Sequence, residues 1–135
     1  MQLTRETDYA VRTVLYLAKI GESASANEIS DVLKIPKRFA RVVLVNLLRS
    51  GIVRSHRGKF GGYAFAKLDA SLLDVVLAVE GKIEINKCLC EASGCERIEK
   101  SKCVVHHALT DLNELIKSEL EKLKVSDIAP SFLLE

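Results

Sequence analysis

The sequence predicts a mainly α-helical protein with one small β-hairpin and a long C-terminal helix. Apolar residues recur every three or four positions in several separate segments, which is the spacing of one helix face. A glycine-rich stretch separates two short segments of strand-like composition, as in a hairpin. With 48% hydrophobic and 28% charged residues, the chain of 135 residues is expected to form one ordered domain, or one small domain with an appendage.

Capping signals mark the first two helices. Thr4 is a suitable N-cap for a first helix that Gly21 ends. Ser25 and Glu28 have the spacing of a capping box, in which each side chain accepts a hydrogen bond from the backbone N–H of the other residue. This second helix should stop before Pro36, because the residue that precedes a proline is disfavoured in the helical conformation.

A third helix is predicted from about Pro36 to Ser50, with Gly51 after its end. It follows the second helix across a short turn, so the pair forms a candidate helix-turn-helix unit. In such a unit the N-terminal half of the second helix meets the base edges of DNA. The basic side chains in that half are candidate DNA contacts: Lys37, Arg38 and Arg41.

The hairpin that follows favours DNA binding further. Residues 52–56 and 63–66 are the predicted strands, and the stretch 57–62 between them contains three glycines. A basic hairpin directly after a helix-turn-helix is the wing of a winged helix, whose cations follow phosphates or enter the minor groove. A phosphate-cradling loop is the rival use of such glycines, but the motif that it requires is missing from the sequence. The candidate contacts in the wing are Arg54, Arg57 and Lys59.

The charges of the chain are segregated. The net charge is only +2, yet nine of the 20 basic residues lie between Val32 and Leu68, and that window contains no Asp or Glu. Elsewhere 11 basic residues are outnumbered by 18 acidic ones. A solvated basic face would explain the charge alone. Together with the helix-turn-helix and the wing, the segregation indicates double-stranded DNA as the partner of one region.

All four cysteines lie within sixteen positions, and two of the three histidines follow directly behind them. Thiolates at such short spacings can converge on one metal centre. The residue types leave three hypotheses open: an iron–sulfur cluster with two or four irons, a structural zinc ion, and a metal-free switch in which Cys88 forms a disulfide with Cys90 or Cys95. The residues concerned are Cys88, Cys90, Cys95, Cys103, His106 and His107.

After the cysteines, apolar residues recur at every third or fourth position and predict one amphipathic helix that reaches about Lys124. A helix of about 20 residues is about 30 Å long, longer than a small winged helix needs to cover itself. We therefore expect its stripe to pair with a second copy across a two-fold axis, rather than to fold back on its own domain. The stripe consists of Val105, Leu109, Leu112, Ile116, Leu120 and Leu123.

These parts together resemble the Rrf-type (Rrf two) family of winged-helix transcriptional regulators, which includes the iron–sulfur regulators IscR and NsrR. The resemblance covers nearly the whole chain, and the combination of wing and cysteine loop makes it specific. Besides the three spaced cysteines, its motifs are Leu3-Thr4, Thr7-Asp8-Tyr9-Ala10-Val11-Arg12, Gly51-Ile52-Val53-Arg54-Ser55, Arg57-Gly58, Gly61-Gly62-Tyr63 and Val79-Glu80-Gly81.

The resemblance implies a homodimeric transcription factor on a palindromic operator, with an iron–sulfur cluster whose state changes the affinity for DNA. It divides the chain into a winged helix-turn-helix at 1–80, a cysteine-rich cluster-binding loop at 81–103, and a dimerisation helix with a tail at 104–135. It also implies that Cys88, Cys95 and Cys103 are the ligand cysteines. The six and seven residues between them exceed the usual gaps of the family.

The resemblance leaves the fourth ligand open among three residues. His106 follows Cys103 by three positions, as in IscR-like members, and Asp8 matches the carboxylate that NsrR-like members supply across the dimer. Cys90 is an additional thiol that most members lack. Each of the first two has a plain alternative: His106 as a polar residue of the dimer helix, and Asp8 as the partner of Arg12 in a helical ion pair.

Other classes of protein fit the sequence less well. There is no apolar run of the roughly 20 residues that a membrane span needs, and the N-terminus has no apolar signal segment. No Ser/His/Asp set, paired-carboxylate pattern or nucleotide loop is visible, so we assign no catalytic residue and no small-molecule substrate. We expect a cytoplasmic regulator that binds DNA and no membrane.

Overall fold

The computed structural model describes residues 2–91 and 95–134. Within these ranges the chain is mainly helical, with one antiparallel β-hairpin and a long C-terminal helix, so the predicted fold class is confirmed. No helix among these residues is long and apolar enough to cross a membrane. The elements are α1 (Arg5–Ile20), α2 (Ala26–Leu33), α3 (Lys37–Arg49), β1 (Val53–His56), β2 (Gly62–Phe65), α4 (Leu72–Glu80), α5 (Val104–Lys122) and α6 (Val125–Ile128).

The first two helices begin at the capping residues that the sequence predicts. Thr4 Oγ1 accepts a hydrogen bond from the N–H of Thr7 at 3.2 Å. Ser25 and Glu28 exchange both bonds of a capping box, at 3.1 and 2.7 Å. Gly21 closes α1 in the left-handed conformation at φ 66°, which glycine adopts without steric cost. Local side-chain chemistry therefore sets these boundaries.

The turn between α2 and α3 is short and internally bonded. Lys34 ends α2 with a left-handed φ of 55°, and the N–H of Ile35 then donates to the carbonyl oxygen of Ser30 at 3.0 Å. Pro36 directly precedes α3. The predicted helix-turn-helix is therefore confirmed. It packs on α1 around a core of fully buried side chains that includes Val14, Leu17, Ile29, Val43, Leu44 and Leu47.

The wing is attached to the helical core by backbone hydrogen bonds. Val53 pairs with Phe65 and His56 with Gly62 across the hairpin. The N–H of Ala24 donates to the carbonyl oxygen of Tyr63 at 2.9 Å, and the N–H of Tyr63 donates back at 2.8 Å. The segment before α2 thus extends the sheet on its β2 side, and the position of the wing relative to the helix-turn-helix is fixed.

The chain after α5 returns to the winged domain, a feature that the sequence did not indicate. Val125 and Ala129 are 0% and 2% exposed and belong to the main core. The N–H of Val125 donates to the carbonyl oxygen of Ala70 at 2.9 Å. The N–H of Leu72 donates to the carbonyl oxygen of Leu123 at 2.8 Å. Burying one such valine contributes about 2 kcal/mol, so this segment stabilises the winged domain.

Helix α5 packs on α4 but leaves much of its surface uncovered. The only residue of α5 that is buried is Asn113. Of the predicted apolar stripe, Leu109, Ile116 and Leu120 are half-buried. The other members are exposed together with Leu115, at 63% for Val105, 46% for Leu112, 55% for Leu115 and 45% for Leu123. The stripe is therefore divided between the chain's own domain and an uncovered apolar face.

Candidate DNA interface and cysteine site

The six predicted DNA contacts lie on two elements that pack against each other, α3 and the hairpin. All six side chains are exposed. In the part of the chain that the structure describes, none of them forms an ion pair with a carboxylate. Cations without a carboxylate partner are available to phosphates and base edges. The six are Lys37, Arg38, Arg41, Arg54, Arg57 and Lys59.

Helix α3 has a buried face and an exposed face. The buried face consists of Ala40, Val43, Leu44 and Leu47, which pack into the core. Arg38 and Arg49 are eleven residues apart, close to three helical turns, and both are exposed on the opposite side. Arg49 is outside the predicted contact set because that set was restricted to the N-terminal half of α3. Its spacing from Arg38 places it on the same exposed face of α3.

Arg38 lies against an aromatic pair that joins α3 to α1. Its guanidinium carbon is 4.9 Å from the ring centroid of Phe39, and the Phe39 and Tyr9 rings meet edge to face at 5.6 Å. The guanidinium of Arg12 lies 5.8 Å from the centroid of the Tyr9 ring. Contacts of this kind are worth about 0.5–1.5 kcal/mol each and restrict the side chains that make them. The start of α3 is thereby oriented relative to α1.

Two glycines hold the base of the wing turn in place. A Cβ on Gly61 would lie 2.5 Å from the carbonyl oxygen of His56, and a Cβ on Gly62 would lie 2.4 Å from the carbonyl oxygen of Ala24. Both neighbours are backbone atoms, so any other residue would displace the chain. The close approach fixes the turn that carries Arg57 and Lys59.

The cysteine site is a cavity of about 410 Å³ whose lining includes Cys88, Cys95, Cys103 and His106. Cys88 lies in a one-turn 3-10 helix, Lys87–Leu89, and Cys103 precedes α5 after a second one, Lys100–Lys102. Residues 92–94, which include the glycine of the loop, lie outside the described part of the chain. The fold thus brings together the three predicted ligand cysteines and one of the three candidates for the fourth ligand.

Two of these sulfurs each accept a hydrogen bond. Asn86 Nδ2 donates to Cys88 Sγ at 3.2 Å. Cys103 is the N-cap of α5, and its Sγ accepts from the N–H of His106 at 3.4 Å. The positive end of the helix dipole favours negative charge at this position.

Cys95 is exposed and lines the same cavity. Hydrogen bonds from the backbone N–H groups of Arg97 and Ile98 lower the pKa of its thiol, and the charges of Arg97 and Lys100 lower it further. Arg97, Lys100 and Lys102 all line the cavity. This environment favours thiolate, the form that binds metals and reacts with oxidants.

His106 carries an unexplained buried atom. Its Nδ1 is buried and has no hydrogen-bond partner among the described residues. A buried polar atom without a partner costs about 1–3 kcal/mol, so such atoms are rare unless a ligand, ion or water satisfies them. An imidazole nitrogen beside three thiols has the chemistry of a metal ligand.

The other two candidates for the fourth ligand lie elsewhere. Cys90 lines a second cavity of about 630 Å³, which His106 also lines, and Lys82 Nζ lies 3.5 Å from Cys90 Sγ. Asp8 is on α1 and pairs with Arg12 at 2.5 Å, the helical ion pair that its spacing predicts. As far as the described residues define it, the cavity of the three cysteines includes neither side chain.

The donors share a cavity without forming a closed site. Across residues 2–91 and 95–134, no three His, Cys, Asp or Glu side chains are close enough together to hold a metal ion. Cys88, Cys95 and Cys103 are free thiols. The donor types, three thiols and one imidazole, fit an iron–sulfur cluster and a zinc ion alike, provided that the loop draws them together.

Glu80 ties the beginning of the loop to α1. Its Oε1 accepts hydrogen bonds from Thr7 Oγ1 at 2.5 Å, Thr4 Oγ1 at 2.8 Å and the N–H of Thr4 at 3.1 Å. The Thr7 bond first, and then the Thr4 bonds, lower the pKa of the Glu80 carboxyl against the opposing effect of burial. Glu80 belongs to one of the motifs noted above, but its partners could not be read from the sequence.

Comparison with known proteins places this geometry in a family. The model of the Rrf2 family, described as an iron-dependent transcriptional regulator, matches residues 3–131. This is nearly the whole chain.

Several solved structures share the fold. CymR (YrzC), the global cysteine regulator of B. subtilis, aligns with a TM-score of 0.79 at 20% identity, over 98% of this chain and 99% of that one. IscR of T. potens aligns with a TM-score of 0.77 at 17% identity, over 97% and 88% of the two chains. The oxidized form of S. aureus CymR aligns over the full length of both chains, with a TM-score of 0.72 at 16% identity.

Proposed function

The chain belongs to the Rrf2 family of DNA-binding transcriptional regulators, which are not enzymes, and we propose that an iron–sulfur cluster at the cysteine site controls its affinity for an operator. The observation that carries this proposal is that His106, whose Nδ1 is buried and has no partner among the described residues, lines a cavity together with three thiols. As an operator-binding protein, the regulator acts in the cytoplasm.

In this proposal α3 enters the major groove and the wing lies along the neighbouring backbone or minor groove. The support is the exposure of the six cations and the lack of carboxylate partners for them within the described residues. Lys37 and Arg41 bind phosphates beside the groove, and Arg38, held against the Phe39 ring, reaches base edges. The wing residues Arg57 and Lys59 contribute affinity without sequence preference.

The regulator acts as a homodimer through α5. The apolar face of this helix, with Val105, Leu112 and Leu115 at its centre, is left exposed by the described residues of the single chain. A second copy would bury that face across a two-fold axis. The same axis would place two α3 helices one DNA turn apart, about 34–36 Å, on a palindromic operator.

Cys88, Cys95, Cys103 and His106 would hold the cluster. When bound, an iron–sulfur cluster supplies a redox-active centre whose charge and ligation respond to its surroundings. The cations that line the cavity, Arg97, Lys100 and Lys102, offset the negative charge of the thiolates. The helix N-terminus at Cys103 acts in the same direction.

Contacts at the two ends of the loop connect it to the DNA-binding domain and to the dimer helix. At one end Glu80 binds Thr4 and Thr7 of α1, and α1 in turn packs against α3. At the other end Cys103 begins α5. A rearrangement of the loop therefore acts on both the winged domain and the dimer helix, and a change in the spacing of the two α3 helices changes operator affinity.

A thiol switch is the second candidate. The lowered pKa of Cys95 favours the reactive thiolate, and Cys88 and Cys103 line the same cavity. Two thiols that form a disulfide give two electrons and two protons to an oxidant such as a peroxide, and the new bond closes the loop. This candidate needs no metal.

The test is to purify the protein anaerobically, record its visible spectrum, and measure iron, sulfide and zinc. DNA binding is measured on duplexes selected from a random library, before and after the cluster is removed. A thiolate-to-iron absorption band with matching sulfide, and an affinity that changes on cluster loss, would support the proposal. Colourless protein with stoichiometric zinc would overturn the proposal of an iron–sulfur cluster. If neither metal is present, thiol counting before and after peroxide treatment tests the disulfide.

A further inference from the structure

The exposed face of α3 carries two valines that the fold does not use. Val42 and Val45 are 46% and 45% exposed, whereas Val43, Leu44 and Leu47 of the same helix are at most 1% exposed. Single exposed apolar residues are common on protein surfaces. Valine inside a helix, however, has a lower helix propensity than alanine and gains little stabilisation when it is left in water.

The spacing of these valines places them between two arginines. Arg38, Val42, Val45 and Arg49 follow one another at steps of four, three and four, so they form one stripe along the helix. The stripe lies opposite the buried face of Ala40, Val43, Leu44 and Leu47. It therefore runs along the middle of the surface that α3 presents outward, while Lys37 and Arg41 lie to one side.

We propose that Val42 and Val45 contact the C5-methyl groups of thymines in the major groove, beside a guanine read by Arg38. The inference rests on the proposed DNA-binding function and adds the bases that α3 recognises. On major-groove edges the thymine methyl is the apolar group, and an apolar side chain is its matching contact. A guanidinium at one end of the stripe matches the O6 and N7 acceptors of guanine.

Helix geometry limits where these bases lie. Val42 is four residues from Arg38, a rise of about 6 Å, and the bases of one strand are about 3.4 Å apart. The first thymine is therefore expected within about two base pairs of the guanine. Val45 lies a further turn along the helix and is expected to meet a thymine one or two base pairs beyond, on either strand.

The test uses the full-length protein and an operator selected from a random duplex library. Each thymine of the half-site is replaced singly by deoxyuridine, which removes only the C5-methyl group. At one or two positions, this replacement is expected to lower the affinity of wild-type protein about fourfold. This is the factor that corresponds to the loss of one buried methyl group. In Val42→Ala or Val45→Ala, the sensitivity at one position should fall well below fourfold, because the two γ-methyl groups that reach toward that thymine methyl are lost.

Exposed Val→Ala changes in a helix are expected to leave the fold intact, since alanine is the better helix former. Val32→Ala is the matched control: Val32 is 40% exposed on α2, and this variant should keep the wild-type sensitivity at every position. If no thymine is sensitive to deoxyuridine, or both α3 variants keep the wild-type pattern, the inference is overturned while the DNA-binding function stands. If the protein selects no DNA sequence with or without its cluster, the proposed function itself fails.

Discussion

The side-chain amide of Asn113 donates from Nδ2 to the carbonyl oxygen of Ile83 at 2.8 Å. The same amide accepts at Oδ1 from the N–H of Ile85 at 3.0 Å. Both bonds join the middle of α5 to the segment that leads from α4 into the cysteine loop. Since Asn113 is 5% exposed, water cannot readily replace it, and the entry to the loop is fixed on the helix that we expect to form the dimer.

Asn113→Ala should therefore destabilise the protein by about 1–3 kcal/mol, because the backbone groups of Ile83 and Ile85 lose their partner in a partly buried site. Urea unfolding monitored by circular dichroism gives this difference. Asn27→Ala is the matched control, since Asn27 is exposed at the start of α2 and should change stability by no more than about 0.5 kcal/mol. Equal effects of the two substitutions would contradict a structural role for the Asn113 amide.

Glu80→Gln should remove part of the pH dependence of stability. The pKa of Glu80 is lowered in the folded protein by its bonds to Thr7 and Thr4. Its ionised form therefore adds stability above its ordinary pKa of 4.5, and this contribution is lost as the pH falls through the lowered value. At pH 7 we expect the free energy of unfolding of wild-type protein to exceed that of Glu80→Gln by about 1 kcal/mol. The difference is small because glutamine still forms neutral hydrogen bonds.

The difference between the two proteins should shrink toward zero as the pH falls below about 4.5, in thermal or urea unfolding. Glu121→Gln on the exposed side of α5 should match wild type at every pH. A difference between wild type and Glu80→Gln that stays constant down to pH 3 would show that the charge of Glu80 is unimportant.

His106→Ala should lower the visible absorption and the iron content of anaerobically purified protein, because the imidazole beside the three thiols is lost. His107→Ala is the matched control: His107 is exposed, and its Nε2 lies 2.9 Å from the carbonyl oxygen of Ser101. Cys90→Ser should also keep the absorption, since Cys90 is absent from the lining of the cavity that holds the other three cysteines. Loss of iron from Cys90→Ser with retention in His106→Ala would reverse the assignment of the fourth ligand.

Arg57→Ala and Lys59→Ala should weaken binding to all duplexes alike. If each side chain neutralises one phosphate, each substitution reduces the slope of log K against log salt concentration by about 0.9. Arg38→Ala should instead change the sequence preference that in vitro selection reports. Lys122→Ala, at the far end of α5, should change neither quantity. Wing variants that lose sequence discrimination would contradict the assignment of phosphate contacts to the wing and of base recognition to α3.

Leu115→Asp should convert the dimer into monomers, because it places a carboxylate in the exposed apolar face of α5. Sedimentation equilibrium measures the change, and operator affinity should fall with it. Leu68→Asp is the control, since Leu68 is 75% exposed in the segment after the hairpin and is not a residue of α5. If Leu115→Asp remains dimeric, α5 does not form the interface in the way that we propose.

Much of the local structure follows from residues that are close in sequence. The caps at Thr4 and Ser25, the turn before Pro36 and the basic hairpin all depend on groups within a few positions of one another, so their chemistry predicts them. The apolar residues at every third or fourth position likewise predict the length of α5. The spacing of the cysteines predicts that the thiols lie at one site. Together with the family motifs, these features predicted the fold class and the family before any long-range contact was known.

Only the tertiary structure decided which faces and partners these elements have. It divided the apolar stripe of α5 into a half-buried part and an exposed part, and it returned α6 to the core through Val125. It placed Glu80 on Thr4, 76 residues away, and Asn113 on Ile83, 30 residues away. Periodicity shows that a helix has an apolar face, but what covers that face depends on packing between segments far apart in the chain. For the same reason the sequence left the fourth ligand open among His106, Asp8 and Cys90, with Cys90 behind the other two, and in the folded chain His106 is the one of these three that lines the cavity of the three cysteines.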